Sequence, residues 1–226
     1  LLLLQKEDER WTSCVLVHGM GGTGKTVTAV LLVRENSLRQ QFTPLLWITV
    51  GMDAQIRHLQ ADLLKQITGG SGMIDDNDDE ETIMSKLEGA MTAKQRSLLV
   101  LDDPWMPEQV RFLNPIDSST EHRLLVTTRI RDLVRRAALV ELPLMGKDEA
   151  VALMLDLADI DKASYLKTQP GATFPPQAAY DIASACGLLP ITLSITAQMV
   201  KVSGWALTQC TCSPRSMLSS LRLFHP

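Results

Sequence analysis

Aromatic residues make up only 4% of the 226-residue chain. Sheet-only architectures lean on aromatic and β-branched side chains, so this scarcity, beside abundant Leu, Ala and Met, points to helices around a few buried strands. Cysteine is scarce too, and four residues cannot frame a chain of this length with disulfides. Cys14 and Cys186 sit in apolar runs and read as small buried hydrophobes. Cys210 and Cys212 form a C-x-C with no second pair to complete a zinc site. The histidines, His18, His58, His122 and His225, are scattered, which speaks against a metal enzyme. Positive charge is not in excess: 22 Lys and Arg stand against 26 Asp and Glu, a net charge of -4. No bulk field therefore favours nucleic acid. Long apolar runs are also missing. Leu1 to Leu4 run straight into charged residues, and the longest weakly charged stretch, 187–208, is interrupted by Pro190, Gln198 and Lys201. A membrane span needs about 20 predominantly apolar residues. The expected location is cytoplasmic, with neither membrane nor nucleic acid as partner.

What is present is ordinary globular material, 45% hydrophobic and 21% charged. At about 150 residues per domain, the length allows one domain and part of another. Apolar runs at 14–17, 45–50, 98–101, 124–126 and, more weakly, 138–142 predict strands. Helical spacing separates them: Val27, Val30, Leu31 and Leu38, then Ile56, Leu59, Leu63, Leu64 and Ile67 stopped by Gly69-Gly70, then 80–93. Continuous apolar strands alternating with helices predict an α/β domain over 1–142 with a parallel sheet covered on both faces. After Pro143 the pattern is helical only, with a stripe of Ala150, Leu153, Met154 and Leu157 and further helices at 178–186 and 190–202. This predicts a small, incomplete helical subdomain over 143–209, followed by an aperiodic tail over 210–226. No internal repeat is visible.

The strongest chemical signal is Gly19-Met20-Gly21-Gly22-Thr23-Gly24-Lys25-Thr26, a complete G-x-x-x-x-G-K-T between an apolar strand and an amphipathic helix. Glycines let successive N–H groups face phosphate oxygens, and the helix offers them its positive end. Lys25 is suited to the β- and γ-phosphates, and the Thr26 hydroxyl to magnesium. A phosphate loop needs an acid for the metal. LLVL running into Asp102-Asp103 supplies one at the carboxyl end of a strand, where ligands bind in open α/β sheets. Asp102 is the expected magnesium partner, and Asp103 can polarise an attacking water. Both carry the alternative of capping a turn beside Pro104. Arg129 ends the fourth strand after Thr127-Thr128. It reads equally as a γ-phosphate contact and as a surface arginine beginning a helix.

Taken in order, these strings resemble the NB-ARC family of STAND nucleotide switches, which comprises plant disease-resistance receptors and apoptosome scaffolds. The resemblance rests on VLVHGMGGTGKT, Phe42 with Trp47-Ile48-Thr49-Val50, LLVLDDPW and LLVTTR. It continues through Leu142-Pro143-Leu144 with Glu149-Ala150 and Leu153-Met154, and ends at Cys186-Gly187-Leu188-Leu189-Pro190-Ile191. It covers about residues 11–202 and implies a P-loop NTPase sheet with the sensor strand between the phosphate-loop and metal-binding strands. By this resemblance Lys25 and Thr26 bind phosphate and magnesium, Asp102 holds the metal, and Asp103 acts as base. Arg129 senses the γ-phosphate, and Pro190 packs near the adenine. The cofactors implied are ADP or ATP with Mg2+, and the partners are proteins or further copies in the ATP state. Two departures stand out: Leu188 replaces the second glycine of the Gly-Leu-Pro-Leu motif, and Pro104 replaces the aliphatic residue after the aspartates. No winged-helix domain, effector domain or recognition repeat is found, so the chain resembles the core of a larger receptor.

Two charged segments invite other readings. Residues 75–81 hold six acids in seven, but an EF-hand needs Gly at loop position six and Glu at twelve, where Glu80 and Lys86 stand. A solvated loop favouring the next helix N-terminus is the better expectation. Arg131, Arg135 and Arg136 read as a solvated helix face. Three functional classes stay open on the residues: a slow nucleotide-dependent signalling switch, a P-loop ATPase or small-molecule kinase with real turnover, and a truncated non-functional fragment.

Overall fold

The computed structural model describes residues 13–117 and 119–203. The 210–226 tail, with Cys210, Cys212 and His225, lies outside the described residues, as do Leu1 to Leu4.

The apolar runs form one parallel sheet. Strands β1 (Cys14–His18), β2 (Leu45–Gly51), β3 (Leu98–Pro104), β4 (Arg123–Thr128) and β5 (Ala138–Glu141) stand in the order β2-β3-β4-β1-β5. All four neighbouring pairs are parallel. Strand β4 thus lies between β1 and β3. Side chains alternate across a pleated strand, so a continuous apolar run supplies two cores. Leu99 and Leu101 join Leu16, Leu46, Ile48, Leu124 and Val126 on one face, under helices α3 (Ile56–Thr68), α4 (Glu80–Thr92) and α5 (Pro107–Leu113). Leu98 and Val100 join Val15, Val17 and Leu125 on the other. That face is closed by Ala29 of α1 (Lys25–Arg34), Leu38 of α2 (Asn36–Gln41) and Phe42. A Leu→Ala change in such a core costs about 2–5 kcal/mol.

The expected Val27–Leu38 helical face is corrected. The helix breaks at Glu35, which is extended, and restarts as α2. Val27 and Leu31 are exposed, while Ala29, with Leu32 and Val33 beside it, carries the packing. Strand β3 also runs further than LLVL, through both aspartates to Pro104. Between β4 and β5 there is no helix; 131–136 are turns and bends, so the arginine cluster does not form a helix face, and Arg131 pairs with Glu141 at 3.5 Å. The acidic segment is a loop through Asp79, which caps α4 by accepting from the Thr82 N–H at 2.8 Å, while Glu80 and Glu81 form the first turn of that helix. Lys86 draws in Asp78 at 2.6 Å, and Arg57 binds the Asp75 and Asp78 carbonyls.

The contacts divide the chain after Leu142. The second unit is helical: α6 (Lys147–Leu157), α7 (Lys162–Thr168), α8 (Gln177–Ala185) and α9 (Pro190–Ser203). Its core draws on Ala150, Val151, Met154 and Leu155, on Ala179 and Ile182, and on Leu193 and Ala197. The buried stripe of α6 is therefore displaced from the expected one, with Leu153 and Leu157 only half-buried. Cys186 is likewise half-buried rather than buried. Leu188 has φ 56°, the left-handed region that favours glycine, which explains why a glycine suits that motif position. Among the described residues, no helix is long and apolar enough to cross a membrane.

Candidate functional site

The loop between β1 and α1 is shaped by glycine. Gly22 and Gly24 have φ of 84° and 95°, and Gly24 stands at the helix N-cap position with no side-chain cap. No acid occupies the first turn of α1. Its leading N–H groups and positive dipole end are therefore presented to an anion. Room for a side chain is lacking at Gly19, where a Cβ would sit 2.8 Å from the Leu142 carbonyl oxygen, and at Gly21 a Cβ would sit 2.9 Å from a guanidinium nitrogen at the movable end of Arg129. Thr23 braces the turn, its hydroxyl donating to the Met20 carbonyl at 2.9 Å.

Lys25 is buried and folds back over the loop, its Nζ donating to the carbonyls of Gly19 at 2.8 Å and Met20 at 3.0 Å. Burial first, then the Arg129 charge, lowers its pKa, while Asp103 and Asp102 oppose the shift. Next to it, the Thr26 hydroxyl donates to Asp102 Oδ1 at 2.8 Å. Asp102 is buried, and the same oxygen accepts from the Thr127 hydroxyl at 2.5 Å. The pairing register makes this contact possible, since Asp102 of β3 stands opposite Thr127 of β4. Thr127 Oγ1 in turn accepts the Asp103 N–H at 3.1 Å.

Asp103 is the strained member, with φ 56°. Its carboxylate accepts from Trp105 Nε1 at 3.2 Å and lies 3.6 Å from Arg129 Nε. The Arg129 guanidinium carbon sits 5.0 Å from the Trp105 ring centre, a cation–π distance. Gln109, also buried, fixes the segment holding Trp105. Its Oε1 accepts from the Trp105 N–H at 2.7 Å, and its Nε2 donates to the Gly51 and Met52 carbonyls at 3.1 and 3.2 Å.

The residues singled out in the α/β unit, Gly19, Gly21, Gly22, Thr23, Gly24, Lys25, Thr26, Asp102, Asp103 and Arg129, therefore gather at the carboxyl end of the sheet. Pro190 belongs to the second unit, where it opens α9. Sequence reasoning missed three contributors: Thr127, Trp105 and Gln109. Thr127 and Trp105 stand in strings quoted for the resemblance, yet their contacts depend on strand register. Only Gln109 had a local signal, at the third position of a helix opened by Pro107. Among the described residues, no group of three or more His, Cys, Asp or Glu is placed to hold a metal. A metal here would instead take hard oxygens from Thr26 and Asp102.

A segment of the chain is 26% identical over 137 residues to the probable disease resistance protein RF45 of Arabidopsis thaliana, 57% of this chain and 13% of that protein. Another match, 29% over 114 residues, is to the putative disease resistance protein RGA1 of Solanum bulbocastanum, covering 50% of this chain and 11% of that one. These matches thus span only about an eighth of the relatives' length. A chain from the structure of Drosophila ORC bound to DNA superposes with a TM-score of 0.58 at 14% identity, covering 94% of this chain and 61% of that one. That likeness shows a shared fold. The NB-ARC domain family matches residues 2–161, and the chain belongs to that family.

Proposed function

We propose that the α/β unit binds ADP and ATP with Mg2+ and serves as a signalling switch that rests with ADP and hydrolyses or exchanges ATP slowly. One observation carries this reading. The uncapped N-terminus of α1, buried Lys25, the Thr26–Asp102 pair and Arg129 over Gly21 all converge at one end of the sheet. The N–H groups of 19–26 and Lys25 bind the β- and γ-phosphates. Thr26 and Asp102 hold magnesium, whose preference for oxygen donors they match. When bound, the ion neutralises charge on the phosphate oxygens. Arg129 recognises the γ-phosphate by paired hydrogen bonds. In hydrolysis, water oxygen bonds to the γ-phosphorus, the bond to the β–γ bridging oxygen breaks, and Asp103 takes the water proton. Pro190 supports the adenine by resemblance alone; Pro190→Ala weakening ADP but not pyrophosphate binding would support that role.

The kinship with disease-resistance proteins supports a place in defence or cell-death signalling, with protein partners or self-association in the ATP state. The test is to purify the chain without added nucleotide, denature it and identify what is released. Stoichiometric ADP, absent from Lys25→Ala, supports the resting switch. A folded protein that neither carries nor binds ADP or ATP overturns it, and rapid partner-free turnover favours an ATPase instead.

A further inference from the structure

We propose that Asp103 and Trp105 form a seat for Arg129, and that the terminal phosphate of ATP must draw the guanidinium off this seat before Asp103 is free to accept a proton. This rests on the nucleotide reading above and deepens it by naming what controls the arginine. Trp105 is here a positioning residue, touching no substrate and acting through Arg129 and Asp103.

Three independent features point to the seat. Both carboxylate oxygens of Asp103 are engaged, Oδ2 by Trp105 Nε1 at 3.2 Å and Oδ1 by Arg129 Nε at 3.6 Å. The Trp105 ring lies beneath the same guanidinium at 5.0 Å. The backbone at Asp103 is held at φ 56°, with its N–H bound to Thr127. Strain of this kind persists only where surrounding contacts impose it, and here it aims the carboxylate at Arg129. The seat also adjoins the phosphate loop, because the guanidinium nitrogen occupies the space that a side chain on Gly21 would need.

The seat is built to be left. Asp103 and Arg129 have side chains 30% and 48% exposed, and their ion pair is neither short nor bidentate. Exposed pairs of this kind are weak, whereas a phosphoryl group offers arginine paired, charge-assisted hydrogen bonds. A γ-phosphate can therefore compete for Arg129, and ADP has none to offer. While Arg129 stays seated, the oxygens of Asp103 are occupied, which delays the base until the sensor has moved. This gives slow turnover a structural origin.

The experiment measures ADP affinity and affinity for a non-hydrolysable ATP analogue, both with magnesium, on the full chain. Trp105→Leu removes ring and N–H without changing charge, Trp105→Phe keeps a ring face, and Asp103→Asn removes the ion pair. Loosening the seat should raise the affinity ratio of ATP analogue to ADP by about three- to tenfold in Trp105→Leu and Asp103→Asn, the scale of one exposed ion pair or cation–π contact. Trp105→Phe should fall between these and the parent. In an Arg129→Ala background the gain should vanish. An unchanged ratio, or equal loss of both affinities, overturns the seat. So does a gain that persists without Arg129, because it would report only the lost charge of Asp103. Lys25→Ala is measured alongside. If it binds nucleotide as the parent does, the phosphate-site reading itself fails and the seat falls with it. If Lys25→Ala loses binding while the seat variants leave the ratio unchanged, only the seat is wrong.

Discussion

At the start of the strands, Ser97, His122 and Arg123 are as deeply buried as Lys25, Asp102 and Thr127 are at the strand ends. The two groups differ in what they bind. At the start, main chain supplies a partner in these bonds: the Ser97 N–H donates to His122 Nδ1 at 3.1 Å, and the Ser97 hydroxyl to the Gln95 carbonyl at 3.0 Å. Arg123 donates to the Thr120 carbonyl at 3.2 Å and to that of His122. Such partners leave only if the fold opens. At the strand ends, Thr26, Asp102, Thr127, Asp103 and Arg129 bond mainly to one another, and Lys25 bonds to carbonyls of a glycine-shaped loop. On the proposed reading, those bonds are exchanged for a ligand's oxygens without unfolding. Burial of charge alone therefore does not mark a site; exchangeable partners beside an uncapped helix end do.

The largest test of this contrast is Lys25→Ala. Nucleotide affinity should fall about 100-fold or more, the scale of charge-assisted hydrogen bonds lost to phosphate. The melting temperature without nucleotide should stay within about 4 °C of the parent, because the lysine's protein partners are only two loop carbonyls, one of buried Gly19 and one of exposed Met20. Titration calorimetry and thermal melts read the two quantities separately. A large fall in melting temperature would make Lys25 a structural residue like those at the strand start, and the contrast would collapse.

The central strands β1, β3 and β4 were legible because a sheet covered on both faces demands unbroken apolar runs, as in Leu98 to Leu101, whereas edge strand β5, with no buried residue, gave a weaker signal. The phosphate loop was legible because its glycines shape a local backbone turn and Lys25 and Thr26 follow that turn directly in the chain. The α1 face was not: Val27 and Leu31 share a helical stripe, yet the helix packs through Ala29, Leu32 and Val33 and breaks at Glu35. Helices α2, α5 and α7, at six or seven residues, are too short to show a period. Asp102, Asp103 and Arg129 could be named from their strand-end positions. The Trp105 and Thr127 contacts could not, since they follow from the register of β3 against β4 and from the turn taken at Asp103.

Thr127→Val tests the middle of the contrast, a buried side chain whose oxygen serves both the backbone and the exchangeable cluster. Valine keeps the shape but removes the donor to Asp102 and the acceptor for the Asp103 N–H. Leaving those groups short of partners should cost about 1–3 kcal/mol in urea unfolding, and Thr127→Ser should recover most of it. A neutral Thr127→Val would mean that water or a neighbour replaces the hydroxyl as partner of Asp102 and of the Asp103 N–H.

The smallest effect belongs to the strand start and depends on pH. Burial lowers the pKa of His122, with Arg123 adding to the shift and a hydrogen bond to the Met91 backbone opposing it. The folded protein therefore binds this proton less readily than the unfolded chain, whose histidine titrates near 6.5. Below that value the unfolded state holds more protons, so stability falls as pH falls, until the folded histidine also protonates. The slope from one such group is at most about 1.4 kcal/mol per pH unit. Asp78, Asp79, Asp117 and Asp161 have lowered values as well, but they titrate below 3.8 and contribute in a separate, more acid window. His122→Asn keeps an amide oxygen to accept from Ser97 and has no proton to gain. Urea midpoints measured on either side of pH 6.5 should therefore converge in the variant and differ in the parent. Equal slopes in both proteins would mean that the buried imidazole takes up its proton at Nδ1 and gives up the Ser97 contact at no net cost, and that the strand start is as adaptable as the strand end.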